Sequence, residues 1–191
     1  MKHLLLLLAW LFVGCTATDQ ALKNEVNIQQ EDWNQLREQL LRVSSWLDEG
    51  QGCCDRVSLS AGLPLPDSMP EAHAGDTLRL DADSLFAAYR STCAELAQLS
   101  RQAQRIDGQY QRTRQQFNLF YRKVFDNKLR SGLAQERLVE YRRHLDAFQE
   151  SLDLLAERFD ALATRHNVLV EQIADSQPQF MGLGTERIER R

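Results

Sequence analysis

Four histidines, four cysteines and a spread of carboxylates are the side chains here with the means to do chemistry. Their spacing assembles no reaction. His3 sits in the first residues, His73 in a proline-containing segment, and His144 and His166 in the last long periodic stretch. There is no HExxH, no GxSxG, no phosphate-binding P-loop and no glycine-rich dinucleotide fingerprint. Gly182-Leu183-Gly184 lacks the preceding strand that a nucleotide loop needs. Asp81-Ala82-Asp83 has the alternation of a calcium loop without its glycine or its twelfth-position Glu. A cap on the next helix, made by Asp81 or Asp83, accounts for it better. Glu136 and Glu140 share one helical face, which fits a solvated surface. His166 falls on an apolar seam, where a polar residue packs or sets register. The chain is expected to be a non-enzyme without cofactor or bound metal.

The cysteines carry a different message. Cys15 closes an N-terminal apolar run, which leaves Cys53, Cys54 and Cys93. A bond between neighbours closes a strained small ring, so Cys93 should pair with Cys53 or with Cys54. Such a bridge suits an oxidising compartment. No CxxC or Cys/His pair has metal-ligand spacing.

The 191 residues are 43% hydrophobic and 26% charged, with a net charge of -4. That composition excludes a polytopic membrane protein and a wholly disordered chain. The acidic balance speaks against non-specific binding of nucleic acid. Charge is unevenly distributed. Residues 15–83 hold 5 basic and 13 acidic side chains, whereas residues 101–143 hold 11 basic and 4 acidic.

Residues 1–14 have the layout of an export signal: a basic start at Lys2, the leucine run Leu4 to Leu8, and Ala9-Trp10-Leu11-Phe12-Val13. This apolar run is too short to span a bilayer, which takes about 20 helical residues. The run ends in Phe12-Val13-Gly14-Cys15, which resembles the lipobox of bacterial lipoproteins; Phe12 stands where Leu is usual. The resemblance implies cleavage before Cys15 and acylation of that residue. Thr16, in place of the Asp that retains lipoproteins at the inner membrane, points by the same resemblance to the outer membrane. Three acyl chains make a stable anchor, since each buried CH₂ adds about 0.8 kcal/mol.

Residues 15–21 read as a lipidated tether. Leu22, Val26, Gln29, Trp33, Leu36, Leu40, Val43 and Leu47 then follow alternating three- and four-residue steps, the stripe of an amphipathic helix. Gly50-Gln51-Gly52 predicts its end. Residues 50–83 read as an acidic Cys-containing loop, with short strands at Val57-Ser58-Leu59 and Thr77-Leu78-Arg79-Leu80.

The strongest periodicity comes next. Tyr89, Leu96, Ala103, Tyr110, Phe117 and Val124 recur every seven residues, interleaved with Thr92, Leu99, Ile106, Thr113 and Phe120. After a break at Asn127 to Gly132, Leu138, Leu145, Leu152, Phe159, His166 and Ile173 do the same, interleaved with Tyr141, Phe148, Leu155, Leu162 and Leu169. Sustained heptads mean helices burying a seam against other helices. The fold expected is all-α. Residues 84–174 form a long antiparallel coiled-coil hairpin, and the N-terminal helix packs along its base. One continuous helix in a parallel oligomer is the alternative. The tail, residues 175–191, lacks periodicity and reads as flexible.

A second resemblance lies within residues 53–90. Cys53-Cys54, Leu63-Pro64-Leu65-Pro66, Leu78-Arg79-Leu80-Asp81 and Phe86-Ala87-Ala88-Tyr89-Arg90 resemble the opening of the periplasmic maltose-operon protein family. Helices follow here where that family has a β domain. The resemblance implies a periplasmic setting and no activity.

The expectation is a periplasm-facing outer-membrane lipoprotein that serves as a scaffold or accessory subunit of an envelope assembly. A periplasmic chaperone or pilotin-like factor is the alternative. Its partners would be the membrane, through Cys15, and a protein; it would bind no nucleic acid, and a homo-oligomer fits the coiled coil. The basic hairpin end, with Arg112, Arg114, Arg122 and Lys123, is the candidate docking surface, and the nearby Phe117, Phe120, Tyr121 and Phe125 are candidate anchors.

Overall fold

Three stripes of alternating three- and four-residue spacing become three helices in the computed structural model: α1 (Lys2–Ser60), α2 (Thr77–Phe125) and α3 (Ser131–Ser176). The structure describes the backbone of residues 2–60, 77–176 and 187–189, and the side chains of residues 20–58, 84–176 and 187–189. Each helix contributes to two compact units. Unit 1 takes residues up to Gln39 and Ile106–Ser151; unit 2 takes Leu40–Arg105 and the residues from Leu152 on.

In unit 1, α2 turns into α3 over residues 126–130. Asn127 stands at φ 54°, the left-handed position that ends many helices. The Lys128 amide donates to the Lys123 carbonyl (2.8 Å) and the Asn127 amide to that of Val124 (3.1 Å), which satisfies carbonyls the helix end would strand. Arg130 then accepts from the Ala134 amide at 3.0 Å to open α3. The hairpin, not the continuous helix, is therefore the fold. Phe117 meets Tyr141 and Tyr110 meets Phe148, so α2 and α3 run antiparallel here. Trp33 of α1, fully buried, lies 5.5 Å from Tyr110, 5.8 Å from Phe117 and 6.0 Å from Phe148 between ring centroids. Burying side chains of this kind contributes roughly 1.5–3 kcal/mol each.

Unit 2 is a second three-helix packing. Leu40, Val43 and Leu47 of α1, Tyr89, Leu96 and Leu99 of α2, and Leu152, Leu155, Phe159 and Ile173 of α3 are buried. Cys54 and Cys93 form a disulfide with a Cα–Cα distance of 5.8 Å, which ties α1 to α2. His166 is fully buried, its Nε2 3.1 Å from the Tyr89 hydroxyl.

Several boundaries differ from expectation. α1 does not stop at Gly50-Gln51-Gly52 but runs to Ser60. A Cβ at Gly50 would stand 3.3 Å from the Phe159 ring and 3.5 Å from Ile188, so this glycine serves close helix packing, not termination. Cys53, Cys54 and Val57-Ser58-Leu59 accordingly lie on helix, not in a loop or strand. Thr77-Leu78-Arg79-Leu80 opens α2, which places Asp81 and Asp83 past the cap position. The helix also starts before Leu22, since residues 15–21 are helical backbone within α1. The N-terminal helix is not confined to the hairpin base, because residues Leu22 to Leu36 fill the core of the unit that holds the hairpin turn. Part of the tail is also ordered: Ile188 is buried, and Asn167 pairs with its backbone through Nδ2 to the Ile188 carbonyl (3.1 Å) and Oδ1 from the Ile188 amide (2.9 Å). The acidic segment 61–76 with His73, and tail residues 177–186, lie outside the described residues.

Candidate interaction surface

The four basic candidates separate into two kinds. Arg114, half-buried, donates from Nη1 to Gln30 Oε1 (2.9 Å) and from Nη2 to Asn34 Oδ1 (2.8 Å). Its guanidinium also lies over the Phe117 ring, 5.6 Å from the centroid. Burial lowers its pKa from the ordinary arginine value, and the guanidinium stays charged near neutral pH. Arg114 thus joins α2 to α1. Arg112, Arg122 and Lys123 are exposed instead. Among the described residues, no ion pair engages Arg122, Lys123 or Arg130.

The aromatic candidates divide similarly. Phe117 and Phe120 are core residues. Tyr121 and Phe125 are half-buried and stacked, centroids 4.5 Å apart. The Tyr121 hydroxyl donates to Asn27 Oδ1 at 2.9 Å, and Lys23 Nζ stands 6.0 Å above the Phe125 ring.

Exposed aliphatic residues are what sequence reasoning missed. Leu119 is 58% exposed and Leu133 46%. They edge a shallow groove between α2 and α3, floored by Phe120 and Tyr141 and rimmed by Lys123 and Arg137. A signal for them existed: both leucines lie off the heptad positions, where a solvated face would carry polar residues. Across α3, Ile28 (57%) and Val139 (53%) are exposed beside Arg142 and Arg143. Arg142 reaches Asp32 at 3.4 Å, and Arg137 pairs with Glu140 at 2.7 Å. This surface combines unneutralised cations with apolar edges, a pairing suited to a negatively charged, partly apolar partner.

Elsewhere, Cys53 takes no part in the disulfide and is buried; its Sγ lies 3.0 Å from Arg56 Nη2 and 3.7 Å from the Arg187 carbonyl. Among the described residues there is no group of three metal-ligating side chains, and no helix is long and apolar enough to cross a membrane. No known protein family, curated protein or solved structure matches the chain.

Proposed function

We propose that this chain is a bacterial outer-membrane lipoprotein, anchored through Cys15, that acts as a non-catalytic scaffold or accessory subunit of a cell-envelope assembly. The observation that carries this reading is the continuity of α1. The helix containing Cys15 runs on unbroken and supplies core residues to both units. An anchor at Cys15 would thus be joined to folded protein by helix, as a membrane-held scaffold requires. The Cys54–Cys93 disulfide supports an oxidising compartment. Thr16 supports the outer membrane by its resemblance to lipoproteins sorted there. The exposed Arg112, Arg122 and Lys123 offer contact to an acidic surface.

Crosslinking and co-purification from native membranes test the reading. A single stoichiometric protein partner, lost on release of the Cys15→Ser variant from the membrane, is the expected result. Suppressed aggregation of many unrelated clients, with no stoichiometric partner, would overturn it in favour of a chaperone.

A further inference from the structure

We infer that the basic end of unit 1 docks on anionic lipid headgroups of the membrane that holds Cys15. This rests on the lipoprotein reading above and names an acidic surface that the exposed cations would meet.

The direction of α1 is decisive. Tyr121 bonds to Asn27, and the next turn of α2 brings Phe125 under Lys23. Toward its N-terminus, therefore, α1 runs alongside α2 toward the hairpin turn. Cys15 lies eight residues before Lys23 on the same helix, which is about 12 Å of helix rise. A lipid anchor at Cys15 and the hairpin turn consequently share one end of the unit. The turn faces the bilayer; it does not project away from it.

What that end displays matches a headgroup layer. Arg122, Lys123 and Arg130 are exposed and carry no ion pair among the described residues. Lys128 is paired with Asp126 at 2.8 Å. Exposed charges act over a screening length of about 8 Å at physiological ionic strength. The helix rise of about 12 Å from Lys23 to Cys15 exceeds that length, so the cations engage the bilayer once a modest tilt of the unit brings them within it. Leu133 and Leu119 supply apolar edges beside the cations, and the stacked Tyr121–Phe125 pair supplies aromatic surface. Cationic, aromatic and aliphatic side chains together are the composition of interfacial segments. A lipid surface also needs no shape complement, which suits a shallow groove. An acyl anchor combined with a basic patch is a known route to firm attachment, because the anchor holds the patch near the lipid charge.

The test uses the full chain, produced with its own signal sequence. A photoreactive residue replaces Lys128 at the turn or, as a control, Asp146 further along α3 in the same unit. The protein is reconstituted into vesicles of phosphatidylethanolamine with a minor fraction of phosphatidylglycerol, or of phosphatidylcholine alone. Several-fold more lipid adduct is expected at position 128 than at 146 in the phosphatidylglycerol vesicles. That excess should be lost in phosphatidylcholine, in high salt, and in the Arg122→Glu/Lys123→Glu/Arg130→Glu variant at unchanged helix content. Equal adduct at both positions, or an excess indifferent to lipid charge, overturns the inference. So does a single protein adduct at position 128 in living cells without lipid adduct, which would assign this end to a protein partner. The mass of the purified chain reads acylation of Cys15 separately. Its absence would remove the anchoring reading, while the lipid adducts would still decide the docking.

Discussion

The Tyr110 hydroxyl of α2 donates to the main-chain carbonyl of Trp33 on α1 at 2.7 Å, with both residues fully buried. A helix carbonyl has a second lone pair beyond its intrahelical bond, and Tyr110 uses it to fasten α1 to α2 amid the Trp33, Phe117 and Phe148 rings. Burial raises the Tyr110 pKa above the ordinary 10.0, opposed by Arg114 and Arg37. Tyr141 is raised in the same direction, first by burial and then by Glu140.

Tyr110→Phe should therefore cost about 0.5–1.5 kcal/mol at neutral pH, the net worth of one neutral hydrogen bond with the ring retained. The alkaline response follows from the raised pKa values. Folded tyrosines with raised values favour the neutral form, so their contribution is complete below pH 10, the unfolded value, and is lost as pH rises through the folded values. Urea unfolding followed by circular dichroism should show stability falling above that point, less steeply in Tyr110→Phe. A variant matching the wild type at both neutral and alkaline pH would mean the bond is absent in solution.

The disulfide gives a second prediction. Cys54 and Cys93 are 39 residues apart in sequence, for which chain-entropy reasoning gives about 4 kcal/mol. Cys54→Ser or Cys93→Ser should lower the unfolding midpoint sharply, and reductant should add little further loss. Cys53→Ser should keep the bridge. Non-reducing peptide mapping of the three variants checks the pairing; a Cys53–Cys93 peptide in the wild type would refute it.

The heptads were legible because a seam repeats one rule many times. Tyr89, Leu96, Ala103, Tyr110, Phe117 and Val124 are all buried, as are Leu138, Leu145, Leu152, Phe159, His166 and Ile173. Single-residue signals were less dependable. Gly50 read as a helix end because glycine tolerates left-handed backbone, but at this position a Cβ would crowd the Phe159 ring at 3.3 Å. The stripe itself held the answer: Leu47, Gly50, Cys54 and Val57 continue its three- and four-residue steps, and all four are buried. Of the basic candidates, Arg112, Arg122 and Lys123 are displayed. Arg114 is not, because its partners Gln30 and Asn34 lie about 80 residues away in sequence, where local pattern cannot see them. That the N-terminal part of α1 runs toward the hairpin turn was hidden for the same reason, since it depends on which part of α1 meets Phe125.

Seam and surface can be separated on one helix. Leu152 is 3% exposed and Glu150 is solvent-facing. Leu152→Asp places a carboxylate where no partner is supplied and should cost about 3 kcal/mol or more. Glu150→Ala should stay within about 0.5 kcal/mol of the wild type. Thermal melts of both variants suffice, and equal losses would contradict the heptad assignment.

The final prediction concerns residues 187–189, which hold to unit 2 by three kinds of contact. Ile188 is 4% exposed and approaches the space beside Gly50. Its amide and carbonyl pair with the two ends of the Asn167 side chain. Arg187 forms an ion pair with Glu171. These contributions are unequal. The Arg187–Glu171 pair is about half exposed, so screening leaves it little weight. Burial of the isoleucine and the two hydrogen bonds carry the latch. Glu171→Gln should consequently leave the tail protected from amide exchange and proteolysis. Asn167→Ala should strip one partner each from a backbone donor and acceptor, and Ile188→Asp should remove the apolar plug; each should raise exchange at residues 187–189 at least several-fold. The rest of unit 2 should respond less, because its core is closed by the seam residues of the three helices. Hydrogen exchange resolved by peptide distinguishes the cases. Protection that survives in Asn167→Ala and Ile188→Asp, yet disappears in Glu171→Gln, would make the latch electrostatic and reverse this ranking.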